Sequence, residues 1–177
     1  ECRNDLFKGA RCGGNIRSFK GSGFAWYKPL PACTKLQFSL QFLVKPGTSN
    51  AILMYNGPFN TQNNDKQIDY EDYILLQLKN SRLSLEMVMN GRDKNVVTIN
   101  SKSLDDGMWH TVDVLQVGRK VEMVVDGCES IASDGEESCR AVITTRDDDE
   151  RLNVVAPLQL GGVYREGSQS YPPSLGS

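Results

Sequence analysis

Few residues in this chain are equipped for chemistry. It has one histidine, His110, and five cysteines, Cys2, Cys12, Cys33, Cys128 and Cys139, among 22 acidic and 20 basic side chains. There is no G-x-S-x-G elbow, no H-E-x-x-H and no glycine loop leading into a helix, so the common nucleophile, zinc and phosphate frameworks are missing from the sequence. A Cys–His pair would need a thiol free of disulfide bonding and placed in a cleft. By strand parity His110 sits beside Val112 and Val114, which suits a packed, hydrogen-bonded imidazole. Carboxylates are frequent, but none stands in a glycosidase-like context. The chain reads as non-enzymatic, with a hydrolase on the same fold as a rival that would need two close carboxylates on a concave sheet face.

Calcium is the more promising chemistry. Ca²⁺ takes six to eight oxygens from carboxylates, side-chain amides and backbone carbonyls. Asp72 opens a strand after a long polar loop, and Asn153 stands just before another strand. Either is also an ordinary turn residue at a strand end. The run from Asp147 to Glu150 is a solvated loop, because adjacent carboxylates repel and cost entropy to order. Trp26, Tyr27, Tyr55 and Tyr73 are candidates for a sugar or protein contact, or for filling space between two sheets.

The cysteines lack C-x-x-C spacing, which argues against structural zinc and for disulfides in an extracellular compartment. Cys128 and Cys139 flank a polar loop that they can close. Cys2 and Cys12 can close a small N-terminal loop, which leaves Cys33 over. Sequence does not fix the pairing. An odd count means a free thiol or a partner lost to truncation. With no leader at Glu1, the chain reads as a piece of a longer protein.

The elements that must position these residues are strands. The best-specified stretch is Leu104 to Gly127. Trp109 to Val117 alternates, with His110, Val112, Val114 and Gln116 on one face and Trp109, Thr111, Asp113 and Leu115 on the other. Gly118 and Arg119 suit a type II′ turn, and Val121 to Val125 returns. Trp109 and His110 both read as scaffold. Further strands are expected over Phe19–Tyr27, Lys35–Val44, Ala51–Tyr55, Asp72–Leu78, Arg82–Met89, Val96–Ile99 and Pro157–Gly162, with Ser130 to Glu150 as an acidic insertion. No convincing amphipathic helix appears, so the fold class is an all-β sandwich or barrel. A length of 177 residues fits one domain, and a net charge of −2 gives no basic field for nucleic acid. No apolar run is long enough to span a bilayer, and no N-x-[ST] sequon is present.

The segment L-D-D-G-M-W-H-T-V from Leu104, followed by V-E-M-V-V-D-G from Val121, resembles the D-G-x-W-H-x-V … V-D-G signature of laminin G-like domains. The F-x-G-x-G-F-A start at Phe19, the strand from Ile52, the strand from Asp72 and L-Q-L-G-G from Leu158 fall in that family's order. The motifs F-A-W-Y-K-P-L, Y-N-G-P and L-N-V-x-A-P-L-Q-L-G-G-x-Y-R-E resemble more closely the membrane-proximal laminin G domains of non-chordate classical cadherins. The resemblance covers Ser18 to Tyr164. It implies a jelly-roll sandwich of two antiparallel sheets, with residues 1–17 as the end of an EGF-like module or a linker and 165–177 as a tail. The family's usual F-x-G-C-I strand is missing after Gly162, so the resemblance also implies an open sheet edge.

The resemblance further implies a rim that binds one Ca²⁺. Carried over by position, its ligands fall on Asp72, the carbonyls of Met89 and Arg151, and Asn153. It implies a protein-interaction module of a calcium-dependent adhesion receptor. Such a module lies on the extracellular side of the plasma membrane, is anchored through the parent's transmembrane helix, and meets other extracellular domains in cis or in trans. A lectin-like module that binds glycan on the same rim is the alternative.

Overall fold

A computed structural model describes residues 16–20, 23–58, 72–89, 93–100, 103–128, 138–145 and 151–164. These form ten strands: β1 (Ala25–Tyr27), β2 (Lys35–Leu43), β3 (Ala51–Asn56), β4 (Tyr73–Lys79), β5 (Arg82–Met89), β6 (Asp93–Thr98), β7 (Trp109–Val117), β8 (Lys120–Val125), β9 (Arg140–Thr144) and β10 (Leu158–Leu160). No helix occurs among the described residues. One sheet has the order β1-β10-β3-β4-β5-β6 and the other β2-β7-β8-β9, with the ladders antiparallel throughout. This is the two-sheet sandwich that the strand pattern implies.

Period-2 alternation builds the core. Leu36, Phe38 and Phe42 of β2 point inward with Val112 and Val114 of β7 and Val121, Met123 and Val125 of β8. Ile74, Leu76, Leu78, Leu83, Leu85 and Met87 of β4 and β5 meet them from the other sheet. Those two central strands are buried on both sides, so that Gln77, Ser84 and Glu86 are also shielded from water.

The turns explain the register. Gly118 has φ +55°, while Arg119 keeps an ordinary φ, as a Gly-X type II′ turn requires. Asn80 and Ser81 both lie in the left-handed region, at +52° and +63°, which is the type I′ pattern. Backbone bonds from Ser81 N–H to the Ser49 carbonyl (2.8 Å) and from Leu104 N–H to the Ser81 carbonyl (2.9 Å) hold that tip against its neighbours.

Several expectations need correction. The first strand is three residues long rather than nine, because Phe19 leaves the ladder to lie over Gly161, where a Cβ would come within 2.2 Å of its ring. β6 starts at Asp93, three residues early, because its polar start pairs through backbone with Val88 and Met89. β9 lies inside what reads as an acidic insertion; Arg140 pairs with Glu122 across β8–β9 at 2.6 Å. Cys128 and Cys139 are disulfide-bonded, with Cα atoms 5.9 Å apart. Cys33 is also disulfide-bonded, so the reading that left it over does not hold. Cys2, Cys12 and the Asp147–Glu150 run lie outside the described residues.

Candidate functional site

Three segments far apart in sequence meet at one end of the sandwich. Asp72 stands one residue ahead of β4 and is only 8% exposed. Its Oδ2 accepts the backbone N–H of Asn153 at 2.8 Å, across 81 residues of chain. Met89 ends β5, and the β4–β5 register places it opposite Asp72, one step beyond the Tyr73–Val88 pair. Its side chain is fully buried, and its sulfur accepts from Gln116 Nε2 at 3.4 Å. What Met89 can offer the rim is therefore its backbone carbonyl.

The segment 151–157 makes no ladder, so side chains must hold it. Leu152 and Val154 point into the core, which turns Arg151 and Asn153 outward together. Asn56, at the end of β3 and fully buried, supplies the other clamp. Its Oδ1 accepts Leu30 N–H at 2.8 Å and its Nδ2 donates to the Ala156 carbonyl at 2.7 Å. Nothing in the local sequence pattern of Asn56, which stands just ahead of Gly57 and Pro58, shows a partner 100 residues away.

Asp72, Met89 and Asn153 are thus brought together, and Arg151 stands two residues from Asn153. The oxygens available are a carboxylate, two carbonyls and a side-chain amide. All are hard donors of the kind calcium accepts. Among the described residues, no three His, Cys, Asp or Glu side chains cluster in a metal-ligating group.

The signature hairpin plays another part. His110 is buried, with Nδ1 2.8 Å from Asp126 Oδ2 and Nε2 3.1 Å from Asp106 Oδ1. Burial works against its charge, but the bonds to Asp126 and Asp106 outweigh it and hold the imidazole above its ordinary pKa. Asp106 also accepts Met108 N–H at 2.8 Å; this bond, then the one from His110, holds its carboxyl below the usual range. Asp126 Oδ1 accepts Thr111 N–H at 2.8 Å. One side chain therefore ties the turn before β7 to the turn after β8. Trp109 is not scaffold: it is 57% exposed, beside the exposed Leu43 and Met108. Strand parity separates Trp109 from His110 but does not say which face is inward.

The aromatic candidates divide. Tyr27 packs against the core, while Trp26 is 51% exposed. Tyr55 and Tyr73 lie 6.3 Å apart on the outer side of the larger sheet. There Tyr73 donates to Glu86, which also pairs with Lys94 at 2.8 Å. Burial and then the Glu86 bond push the Tyr73 phenol well above its ordinary range. Glu86 is thus held by two partners, and no second carboxylate joins it on that face among the described residues.

Comparison with known proteins follows the same lines. The family model described as "Laminin G domain" matches residues 44–176. The chain is 50% identical to cadherin-related hmr-1 of Caenorhabditis elegans over 99% of its length, and 36% identical to neural-cadherin of Drosophila melanogaster over 90%. It spans only 6% and 5% of those two proteins. Among solved structures it resembles the LG1-3 region of the laminin alpha2 chain, at TM-score 0.63 and 15% identity, covering 89% of this chain and 27% of that one. It also resembles domains LG4-5 of the mouse laminin alpha1 chain, at TM-score 0.55 and 26% identity, covering 81% and 35%.

Proposed function

The chain belongs to the laminin G domain family, and from that premise we propose that it is a non-catalytic interaction module in the extracellular part of a cadherin-type adhesion receptor, with one calcium ion at its rim. Its partners in this reading are other extracellular protein domains, and the parent protein's transmembrane helix anchors it at the cell surface.

The observation that carries the calcium reading is the Asp72 carboxylate, fixed 2.8 Å from the backbone of Asn153 and so set beside that residue's amide oxygen. A carboxylate beside amide and carbonyl oxygens is the mix of hard donors that Ca²⁺ takes. Asp72 would give the charged ligand, Met89 and Arg151 their carbonyls, and Asn153 its side-chain amide. Four protein oxygens leave room for water or for an oxygen of a partner, so binding would be of modest affinity and would favour a partner that completes the shell. When bound, the ion would stiffen the 151–157 segment against β4. The engagement of Glu86 by Tyr73 and Lys94 supports a structural rather than a catalytic role for that carboxylate.

Calorimetric titration with Ca²⁺ tests the site on the wild type and on Asp72→Ala. Saturable heat is expected in the wild type up to millimolar Ca²⁺, and none in the variant. Absence of heat in both removes the metal site; equal heat in both moves it away from Asp72.

A further inference from the structure

The two turns that flank the β7–β8 hairpin are built on the same dipeptide, Asp106-Gly107 ahead of β7 and Asp126-Gly127 after β8. The backbone demands the glycines. Gly107 has φ +81° and Gly127 φ +65°, where a side chain is strained. At Gly107 a Cβ would also come within 2.9 Å of the Pro46 ring. The imidazole demands the aspartates, because His110 Nδ1 lies 2.8 Å from Asp126 Oδ2 and Nε2 lies 3.1 Å from Asp106 Oδ1. The fold is therefore committed to two Asp-Gly steps.

Such a step is chemically labile, since glycine has no Cβ to shield its nitrogen. The Gly nitrogen attacks the Asp Cγ and gives up its proton. The N–Cγ bond forms, the Cγ–OH bond of the protonated carboxyl breaks, and water leaves behind a cyclic imide. Water then opens the ring. Opening at Cγ restores aspartate; opening at the main-chain carbonyl leaves the chain running through Cγ as isoaspartate. One water is lost and one gained, so the mass does not change. Both side chains reach the water this needs, at 40% exposed for Asp106 and 49% for Asp126.

Attack requires the carboxyl to turn its carbon toward the Gly nitrogen and to carry a proton. Asp126 is held at each oxygen, Oδ1 by Thr111 N–H at 2.8 Å and Oδ2 by His110. Asp106 Oδ1 is held by Met108 N–H at 2.8 Å and by His110. The Met108 bond, then the His110 bond, also hold the Asp106 carboxyl below its usual range, so it resists the proton that the leaving water needs. An imidazolium donates from both ring nitrogens at once, which lets one side chain restrain both steps.

We propose that Asp106 and Asp126 are latent sites of isoaspartate formation and that His110 is the residue that holds both in the unreacted form. On isomerisation the carboxylate sits on Cα, one carbon short of its reach to the imidazole, and the backbone gains a methylene. At Asp126 that displaces the N–H that closes the hairpin on the Thr111 carbonyl at 2.8 Å. Reaction at one site leaves His110 with a single anchor, so it hastens reaction at the other.

Prolonged incubation of the whole chain at neutral pH tests this, with peptide mapping by electron-transfer fragmentation to tell isoaspartate from aspartate. The guanidinium-unfolded protein gives the rate of each step without the clamp. In the folded wild type both rates should be many-fold lower. In folded His110→Gln both should rise several-fold, because the glutamine amide donates from one nitrogen and not from two sides. Asn56→Ala, which removes a buried bridge in the other sheet, separates the clamp from general loss of stability and should leave both rates near those of the wild type. Each variant is read below the temperature at which it melts. Folded rates equal to unfolded ones overturn the proposal. So does a His110→Gln rate unchanged from wild type, or a rise in Asn56→Ala as large as that in His110→Gln.

Discussion

Replacing Asn56 by alanine should be among the costliest single changes in this molecule. The side chain is fully buried and bridges two segments that no ladder holds. Its loss strands the Leu30 N–H and the Ala156 carbonyl. Each buried backbone group left without a partner costs about 1–3 kcal/mol, so the pair amounts to roughly 2–6 kcal/mol. In a domain of this size each kcal/mol moves the melting temperature by about 2–4 °C. The assay is urea unfolding of wild type and variant, with the slope checked for constancy so that the midpoint shift reads stability. Asn56→Asp keeps the acceptor for Leu30 but sets a carboxylate oxygen against the Ala156 carbonyl, and it should fare no better than alanine. Because Asp72 holds the same segment through Asn153, Asn56→Ala and Asp72→Ala together should cost less than the sum of the two. A loss below about 1 kcal/mol for Asn56→Ala, given the magnitudes for stranded buried groups, would refute the account of how segment 151–157 is held.

Other outcomes follow from named contacts. His110 has a raised pKa when folded, so its contribution is fully present below its unfolded value of about 6.5 and is lost as pH rises through the higher folded one. Asp106, whose pKa is lowered, contributes above its unfolded value and loses that contribution as pH falls. His110→Gln should therefore cost more at pH 5.5 than at pH 8.5, and equal losses at the two would contradict the double clamp. Ser81→Gly relieves a left-handed side chain that costs about 1–2 kcal/mol but gives up the hydroxyl's bond to Asp105 and some entropy, so the net gain should stay below about 1 kcal/mol; a gain well above that in urea unfolding would count against the Ser81–Asp105 bond. Trp109→Ser should change stability by no more than about 1 kcal/mol, as exposed positions do, whereas a packed scaffold tryptophan would cost several.

How far the sequence could be read depends on where each signal is local. The hairpin from Trp109 to Val125 was legible because its alternation, its Gly118 turn and its closing Asp126 and Gly127 all lie within twenty residues and agree. β9 was not, because Arg140 to Thr144 is a short edge strand whose alternation is weak and whose polar flanks suggest a loop. Trp109 does lie on the face of β7 opposite His110, but it read as scaffold and is exposed, since period two says which residues agree and not which way they face. Asp72 and Asn153 stand together only after folding; the strand pattern singled out each as a possible calcium ligand, but composition and period carry no trace of a contact 81 residues apart, and it was the family resemblance that put them in one ligand set. Asn56 shows the same limit from the other side, as a buried amide whose sequence context is that of an ordinary turn.

The pairing of Ala25 with Leu160 has a mechanical consequence. A pull delivered at Phe24 and taken off at Gly161 acts on two neighbouring antiparallel strands from the same end. Such a pull peels the ladder one pair at a time instead of shearing its three pairs at once, so yield begins at low force. Once the three pairs have parted, the load falls on Leu30 and on the Asn56 side chain that holds it, and through Asn56 on the segment that carries Asn153.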